Sequence, residues 1–166
     1  MSQRILFVCS GNICRSPLAQ AVLEHKLEQR GFSDRFVVDS AGTVADHLGQ
    51  QADRRMRRTA ARRGITIDHR ARRVRPRDLA EFDLIVGMDD WHMSTLRSMV
   101  DGHPVTLRKM REFDPLAAPS GAGAVPDVPD PWYGGMDGFE EVFEMVDRSC
   151  ERLTEILTGD PETGEE

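Results

Sequence analysis

The first two dozen residues carry the pattern that most constrains this chain: a short apolar run, a tight loop and the start of a helix. The run Ile5–Val8 has no polar residue, which is typical of a short buried strand. Residues 17–23 then begin a helical pattern. A loop between a strand and a helix N-terminus directs several backbone N–H groups, and the positive end of the helix dipole, at one point. The pattern therefore predicts an anion-binding loop directly after the first strand.

The loop between these two elements combines a thiol with an arginine. Cys9 lies at its start, and a cysteine near a helix N-terminus and a cation ionises readily, so Cys9 is the predicted nucleophile. Arg15 carries a planar fork of donors that matches two phosphoryl oxygens at once. Gly11 permits a close backbone approach, and Asn12 tolerates the left-handed conformation that a tight anion loop needs. Together they predict a phosphate-binding loop with a nucleophile at its base.

Ser16 and Pro17 complete the motif. We expect the Ser16 hydroxyl to donate to the Cys9 sulfur and help the thiolate leave in a second step. Pro17 suits the first helical position, where its missing N–H costs nothing. The alternative, an inert core thiol at Cys9 and a surface charge at Arg15, is disfavoured because the Gly-Asn and Ser-Pro pairs belong to the same loop.

A second motif late in the chain supplies a candidate general acid. Phenolate and alkoxide leaving groups need a proton, and a positioned carboxylic acid contributes roughly 10²–10⁴-fold to the rate. Asp130 has a proline on each side, which holds it on a rigid turn. Asp114, Asp127 and Asp137 lie near it in sequence but lack these flanking prolines. We predict that Asp130 protonates the leaving group and then, as a carboxylate, activates the water of the second step.

These two motifs, about 115 residues apart and in the right order, are the basis of a family resemblance. From Arg4 to about Leu157 the chain resembles the low-molecular-weight protein tyrosine phosphatases. The resemblance implies hydrolysis of phosphotyrosine through a phosphocysteine intermediate, without a metal or other cofactor. It also implies a reversible Cys9–Cys14 disulfide under oxidation. The phosphate-binding loop that it assigns, besides Cys9 and Arg15, consists of Ser10, Gly11, Asn12, Ile13, Cys14 and Ser16.

The resemblance also assigns supporting residues. Ser40 matches a serine that holds the loop asparagine, His69 a histidine in the same hydrogen-bond network, and Asp89 a structural aspartate near the phosphate loop. One position departs from the family, because Asp46 stands where an aromatic residue usually flanks the substrate ring. The residues then expected at the substrate mouth are Asp46, Trp132 and Tyr133. The carboxylate is expected either to weaken binding of phosphotyrosine or to favour basic sequences around it.

Along the chain, strand and helix patterns alternate, which favours an open parallel sheet with helices on both faces. We predict an α/β fold of three layers with about four parallel strands, in a single phosphatase domain over 1–158 and an acidic, frayed tail over 159–166. A long loop over 113–135 would be unusual in a compact domain unless it is functional, and it carries Asp130. The predicted elements are strands at 4–9, 36–42, 82–88 and 105–107, a short element at 65–67, and helices at 17–30, 52–63, 89–99 and 138–157.

Composition and charge narrow the setting of the protein. No apolar run of about 18 residues is evident, and no signal peptide. Three cysteines are too few for a disulfide framework. We therefore expect a cytoplasmic protein without membrane contact. Cys150 is expected to pack in the last helix. The remaining histidines show no metal-ligand spacing, so we expect them on the surface or on a helix face: His25, His47, His92 and His103.

Eleven arginines and one acid lie between Arg54 and Arg77, although the net charge of the chain is −6. The run is a candidate docking surface for an acidic protein partner. Nucleic acid is the less favoured partner, because the chain is acidic overall and no aromatic residues interleave the arginines. The simplest interpretation is a solvated surface whose arginines pair with acids elsewhere.

Three other functions remain open. An arsenate reductase on the same fold would need a pair of resolving cysteines in the later part of the chain, where only Cys150 lies. A protein-arginine phosphatase usually has threonine at the position of Ile13, so isoleucine favours an aryl phosphate. A non-catalytic phosphate-binding adaptor would be expected to lack Cys9 or Asp130.

Overall fold

The computed structural model describes residues 2–117 and 124–160. Its elements are four strands, five α-helices and two 3₁₀ turns within those ranges. The strands are β1 (Gln3–Cys9), β2 (Phe36–Gly42), β3 (Leu84–Gly87) and β4 (Thr106–Lys109); the helices are α1 (Arg15–Gln29), α2 (Arg54–Ala61), α3 (Asp78–Glu81), α4 (Asp90–Met99) and α5 (Met136–Thr158); the 3₁₀ turns are Ser33–Arg35 and Met110–Phe113.

The four strands form one parallel sheet in the order β2-β1-β3-β4. The register pairs Cys9 with Gly42 of β2, and Val8 with Gly87 of β3. Because all strands run the same way, the carboxyl ends of these three strands lie at one edge of the sheet. In open α/β sheets this is the edge where ligands bind. The phosphate-binding loop therefore leaves the sheet at its centre.

The apolar run of β1 contributes to both faces of the sheet. Ile5 and Phe7 join the cluster that packs under α1, α2 and α5, whereas Leu6 and Val8 join the cluster under α3 and α4. All four side chains are fully buried. Successive side chains of a strand point to opposite faces, so an uninterrupted apolar run is what a strand covered on both sides requires. This confirms the predicted three-layer α/β fold.

Some predicted boundaries are wrong. Helix α1 begins at Arg15, two residues early, and Pro17 is its third residue rather than its first. The proline is still compatible, because none of the first four N–H groups of a helix has a partner inside it. Residues 65–67 form neither strand nor helix, although the apolar side chains of Ile65 and Ile67 are buried. The four-residue helix α3 was not predicted, since so short a segment has no periodicity to detect.

Glycines with positive φ follow the ends of α2 and α5. Gly64 has φ +74°, three residues beyond the end of α2, and Gly159 has φ +67° directly after α5. Residues 118–123 of the predicted long loop and 161–166 of the predicted tail lie outside the described residues. No helix in the described part of the chain combines the length and the apolar character needed to cross a membrane.

Candidate active site

The phosphate-binding loop and the Asp130 segment meet at one cavity of about 150 Å³. The loop leaves β1 at Cys9 and enters α1 at Arg15. The predicted site residues that line the cavity come from three segments: Cys9, Ser10, Gly11, Ile13, Cys14 and Arg15 from the loop, Asp46 from the segment after β2, and Asp130, Trp132 and Tyr133 from the segment before α5.

The base of the cavity is built to receive an anion. Within the described residues, the N–H groups of Gly11, Asn12, Ile13 and Cys14 donate to no backbone carbonyl. No side chain caps the N-terminus of α1, and its first turn contains no acidic residue. These N–H groups and the helix dipole are therefore available to a bound phosphoryl group.

Asn12 holds the shape of the loop. Its φ of +58° places it in the predicted left-handed region. Its side-chain nitrogen donates to Ser16 Oγ at 2.8 Å and to Ser40 Oγ at 3.0 Å, and its side-chain oxygen accepts from the Arg72 N–H at 2.9 Å. His69 Nε2 lies 2.8 Å from the Asn12 carbonyl oxygen. Ser40 and His69 thus contact the residue that the resemblance assigned to them.

The sulfur of Cys9 has one close polar partner, Ser16 Oγ, at 2.9 Å. Cys9 is 2% exposed, and it lines the cavity. The neighbouring thiol of Cys14 differs in its electrostatics, because burial, followed by the nearby Asp53 and Cys9, raises its pKa. Burial likewise raises the pKa of Cys150. All three thiols are free, and the Cys9–Cys14 disulfide stays a prediction.

Arg15 is buried and held from two sides. Its Nη1 donates to Asp89 Oδ2 at 3.0 Å and to the Val128 carbonyl oxygen at 2.9 Å. Its Nη2 lies 3.4 Å from Ser10 Oγ and 3.7 Å from Asp130 Oδ2. Burial alone would raise the pKa of Asp89, but the His92 N–H and the Arg15 guanidinium hold it below its usual value. Asp89 is therefore an ionised anchor for the arginine.

The Asp130 carboxylate is 42% exposed at the mouth of the cavity. Its Oδ1 accepts from the Trp132 N–H at 3.0 Å, which closes a local turn, and its Oδ2 faces Arg15. Two of the other aspartates considered for the acid role are bound elsewhere. Asp114 pairs with Arg111 and Arg148, and Asp127 pairs with Lys109.

Two histidines to which the sequence analysis gave no role, only a place on the surface or on a helix face, belong to the site. His92 is fully buried, and its Nε2 lies 2.9 Å from Ser10 Oγ. His47 lines the cavity with its ring centroid 5.4 Å from that of Trp132. A Cβ on Gly11 would lie 2.8 Å from His47 Cδ2, so the glycine makes room for this ring. For His92 the available signal was its place three residues after the helix-capping Asp89, a spacing that favours a reciprocal cap.

Two cations that sequence reasoning did not single out hold the Asp130 segment. Lys109 is 5% exposed, and its Nζ contacts Asp90 Oδ1 at 2.8 Å, Asp127 Oδ1 at 2.6 Å and the Val125 carbonyl oxygen at 2.5 Å. Arg55 bonds both carboxylate oxygens of Asp53 and lies 3.4 Å from the Trp132 carbonyl oxygen. Within the described residues, no group of three or more His, Cys, Asp or Glu side chains is arranged to hold a metal ion.

The chain is similar to known proteins along nearly its whole length. A family model described as low molecular weight phosphotyrosine protein phosphatase matches residues 4–162. A low molecular weight protein-tyrosine-phosphatase of Streptomyces coelicolor is 42% identical over 155 residues, 92% of each chain. The low molecular weight protein-tyrosine phosphatase A of Mycobacterium tuberculosis is 41% identical over 149 residues, 90% of this chain and 88% of that one. A crystal structure of a protein tyrosine phosphatase from Entamoeba histolytica, with Hepes in the active site, has a TM-score of 0.84 and 36% identity over 95% of this chain and 99% of its own.

Proposed function

The chain belongs to the low molecular weight phosphotyrosine protein phosphatase family, and from this premise we propose that Cys9, Arg15 and Asp130 hydrolyse phosphotyrosine monoesters in two steps. The protein is a cysteine-dependent phosphatase, with phosphoproteins as its class of substrate. One observation carries the assignment of roles: the Cys9 thiol, the Arg15 guanidinium and the Asp130 carboxyl line the same cavity.

In the first step the Cys9 thiolate attacks phosphorus, and the bond from phosphorus to the phenolic oxygen breaks. Asp130 gives its proton to that oxygen as it leaves. The loop N–H groups and Arg15 hold the three remaining phosphoryl oxygens, where negative charge is spread in the transition state. The products are a phosphocysteine on Cys9 and a neutral phenol.

In the second step a water attacks the phosphocysteine. Asp130, now a carboxylate, takes a proton from that water, and the bond from phosphorus to sulfur breaks. Ser16, whose Oγ lies 2.9 Å from Cys9 Sγ, donates to the departing thiolate. Inorganic phosphate is released, and both Cys9 and Asp130 return to their starting states.

The mouth of the cavity is suited to an aromatic ring with polar surroundings. Trp132 and Tyr133 offer exposed rings on one side, and His47 packs against Trp132. Asp46 lies on the rim without an aromatic side chain of its own. We assign ring contact to Trp132 and Tyr133, and a preference for basic flanking residues to Asp46.

The arginine run from Arg54 to Arg77 is divided between internal pairing and the surface. Arg62 and Arg63 pair with Glu140 of α5, and Arg72 pairs with Asp39 and Asp78. The arginines that are exposed on the rest of the run are Arg54, Arg58, Arg70, Arg73, Arg75 and Arg77. We assign these exposed arginines as the docking surface for an acidic protein partner. We also assign the protein to the cytoplasm, because a reducing environment preserves the Cys9 thiol.

The competing activities are not favoured. A reductase would pass the oxidation at Cys9 to resolving thiols, but the only cysteine after Cys14 is Cys150. That thiol is fully buried in α5, and burial raises its pKa. Ile13, rather than threonine, lines the loop and favours an aryl phosphate over a phosphoarginine.

Initial rates on an aryl phosphate from about pH 4 to 8 test the proposed roles. We expect Cys9→Ser to abolish turnover and Asp130→Asn to lower it by roughly 10²-fold or more. Asp137→Asn, a nearby exposed carboxylate, is the matched control and should retain the wild-type rate. Turnover that survives Cys9→Ser, or an Asp130→Asn rate equal to that of the control, would contradict the mechanism.

A further inference from the structure

Ser10 is the second residue of the phosphate-binding loop, and its hydroxyl has an unusual set of neighbours. The residue is half-buried and lines the cavity. His92 Nε2 lies 2.9 Å from Ser10 Oγ, and Arg15 Nη2 lies 3.4 Å from it. Which of these atoms donate decides where the hydroxyl proton of Ser10 points.

The direction of the His92 contact follows from the other ring nitrogen. The backbone N–H of Asp89 points at His92 Nδ1 across 3.2 Å. Asp89 Oδ1 also lies 3.1 Å from Nδ1, but that oxygen accepts the backbone N–H of His92 at 3.0 Å. A backbone N–H is always a donor, so Nδ1 is the acceptor and the proton of the neutral ring lies on Nε2. His92 therefore donates to Ser10 Oγ. Burial lowers the pKa of His92 to about 4, which keeps the ring neutral at pH 7.

Arg15 has no acceptor capacity, so its Nη2 also donates towards Ser10 Oγ. A hydroxyl oxygen accepts at most two hydrogen bonds, and it keeps one proton to donate. With His92 and Arg15 both donating to Ser10, that proton has to be directed elsewhere. Ser10 faces the cavity, where the incoming phosphoryl oxygens are the acceptors.

We propose that Ser10 is a catalytic residue that donates a side-chain hydrogen bond to the phosphoryl group, and that His92 is the positioning residue that fixes this direction. The inference rests on the proposed phosphatase function of the same cavity. It adds one oriented side-chain donor to the backbone N–H groups and Arg15. His92 is linked to the reaction in a second way, through Asp89. The histidine forms the reciprocal helix cap with Asp89, and Asp89 in turn holds Arg15.

Binding of inorganic phosphate, measured by calorimetry, tests the donor without requiring turnover. A hydrogen bond to a charged group contributes about 1.5–3 kcal/mol, so Ser10→Ala should weaken phosphate binding by roughly 10- to 100-fold. Ser10→Thr keeps the hydroxyl and should restore most of the affinity. Equal phosphate affinity of wild type and Ser10→Ala would overturn the proposal.

His92→Asn separates the two roles of the histidine. The asparagine oxygen can replace Nδ1 as the acceptor for the Asp89 N–H, but the side chain is too short to reach Ser10. We expect His92→Asn to weaken phosphate binding, and adding Ser10→Ala to it to weaken binding little further, because both changes remove the same donor. Fully additive losses would show that His92 acts independently of Ser10.

Nitrogen NMR of His92 is made on the wild-type protein, so its result does not depend on whether a variant folds. The proposal requires a neutral ring protonated on Nε2 at pH 7. A proton on Nδ1 would make Ser10 the donor to His92 and would overturn the proposal. If wild type binds phosphate and Ser10→Ala does not, but neither hydrolyses an aryl phosphate, the phosphatase assignment fails while the Ser10 donor stands.

Discussion

At the scale of single residues, three thiols of one chain differ in what surrounds them. Cys9 faces the cavity and has Ser16 Oγ 2.9 Å away. Cys14 also lines the cavity, but burial and the carboxylate of Asp53 raise its pKa, which keeps it protonated. Cys150 is fully buried in α5 and donates weakly to the Ala19 carbonyl at 3.7 Å. The chemistry therefore follows from position at the end of β1 rather than from the presence of a thiol.

The lowered pKa of buried His92 predicts that the folded protein loses stability in acid. Burial lowers its pKa from 6.5 to about 4, so the unfolded chain binds its proton at a higher pH than the folded protein does. The folded state keeps its full stability above about pH 6.5. It loses stability as the pH falls towards 4, because the unfolded chain gains a proton that the buried ring does not take up. We expect the free energy of unfolding to drop across that window by up to roughly 3 kcal/mol on account of this residue.

Denaturant unfolding of wild type and His92→Gln at several pH values measures this slope. The free energy of unfolding of His92→Gln should depend less on pH between about 6.5 and 4 than that of wild type. Some slope will remain, because burial also lowers the pKa of His69. His103→Gln removes an exposed histidine and should follow the wild-type curve. A His92→Gln slope equal to that of wild type would contradict the buried, neutral state of this ring.

At the scale of elements, the Asp130 segment is fixed on both sides. Before Asp130, Lys109 of β4 holds Val125 and Asp127, and the Val128 N–H donates to the Met88 carbonyl at 2.8 Å. After it, Arg55 of α2 contacts the Trp132 carbonyl, with its guanidinium 5.5 Å from the ring centroid of Trp132 and 4.5 Å from that of Phe139. A segment without regular secondary structure thus acquires a defined position from neighbouring elements.

Removing the Lys109 charge should displace the general acid without touching it. We expect Lys109→Met to lower the rate on an aryl phosphate with a poor leaving group by about tenfold, a part of the 10²–10⁴-fold that a general acid contributes. The rate on a substrate with a good leaving group should change far less, because that oxygen needs little protonation. Arg108→Met, its exposed neighbour in β4, is the control.

Steady-state rates across a series of substituted phenyl phosphates reveal this difference directly. Lys109→Met should show a steeper dependence of rate on the acidity of the leaving group than wild type and Arg108→Met. The same proportional loss on every substrate would mean that Lys109 supports the fold in general rather than the position of Asp130.

At the scale of the whole molecule, a buried carboxylate joins α5 to the segment that follows β4. The Asp114 side chain is fully buried and accepts from Arg148 of α5 at 3.0 and 3.1 Å and from Arg111 at 3.1 Å. Removing one partner of such a group leaves the others buried with an unmatched charge. Asp114→Asn should therefore cost about 2–3 kcal/mol of stability.

Thermal unfolding checks this expectation. A loss of that size should lower the Tm by roughly 5–10 °C for a chain of this length. Glu155→Gln breaks the more exposed Arg152–Glu155 pair of the same helix and should cost less than about 0.5 kcal/mol. A Tm for Asp114→Asn close to that of Glu155→Gln would show that the buried network adds little to stability.

The fold was predictable where a local pattern determines structure. The buried strand β1 and the alternation of strands and helices follow from the apolar run and the periodicity of the sequence. The structure also brings Cys9, Arg15 and Asp130 to one cavity, as their two motifs predicted, while the roles of these residues await experiment. His92, Lys109 and Arg55 were not identified because their partners lie between 16 and 82 residues away in sequence. Such contacts depend on how strands are ordered in the sheet, which single-residue patterns do not specify.

The central claim is that phosphate passes through a covalent bond to Cys9. Rapid acid quenching of the Asp130→Asn variant with an activated aryl phosphate, followed by peptide mass spectrometry, tests it most directly. Activated leaving groups permit the first step without the acid, whereas the second step lacks its base, so the intermediate should accumulate. We predict a phosphoryl group on the peptide that contains Cys9, and none on the corresponding peptide of Cys9→Ala, which has no nucleophile at that position. Turnover with no phosphorylated peptide at any time, or a phosphoryl group on a different residue, would contradict the account.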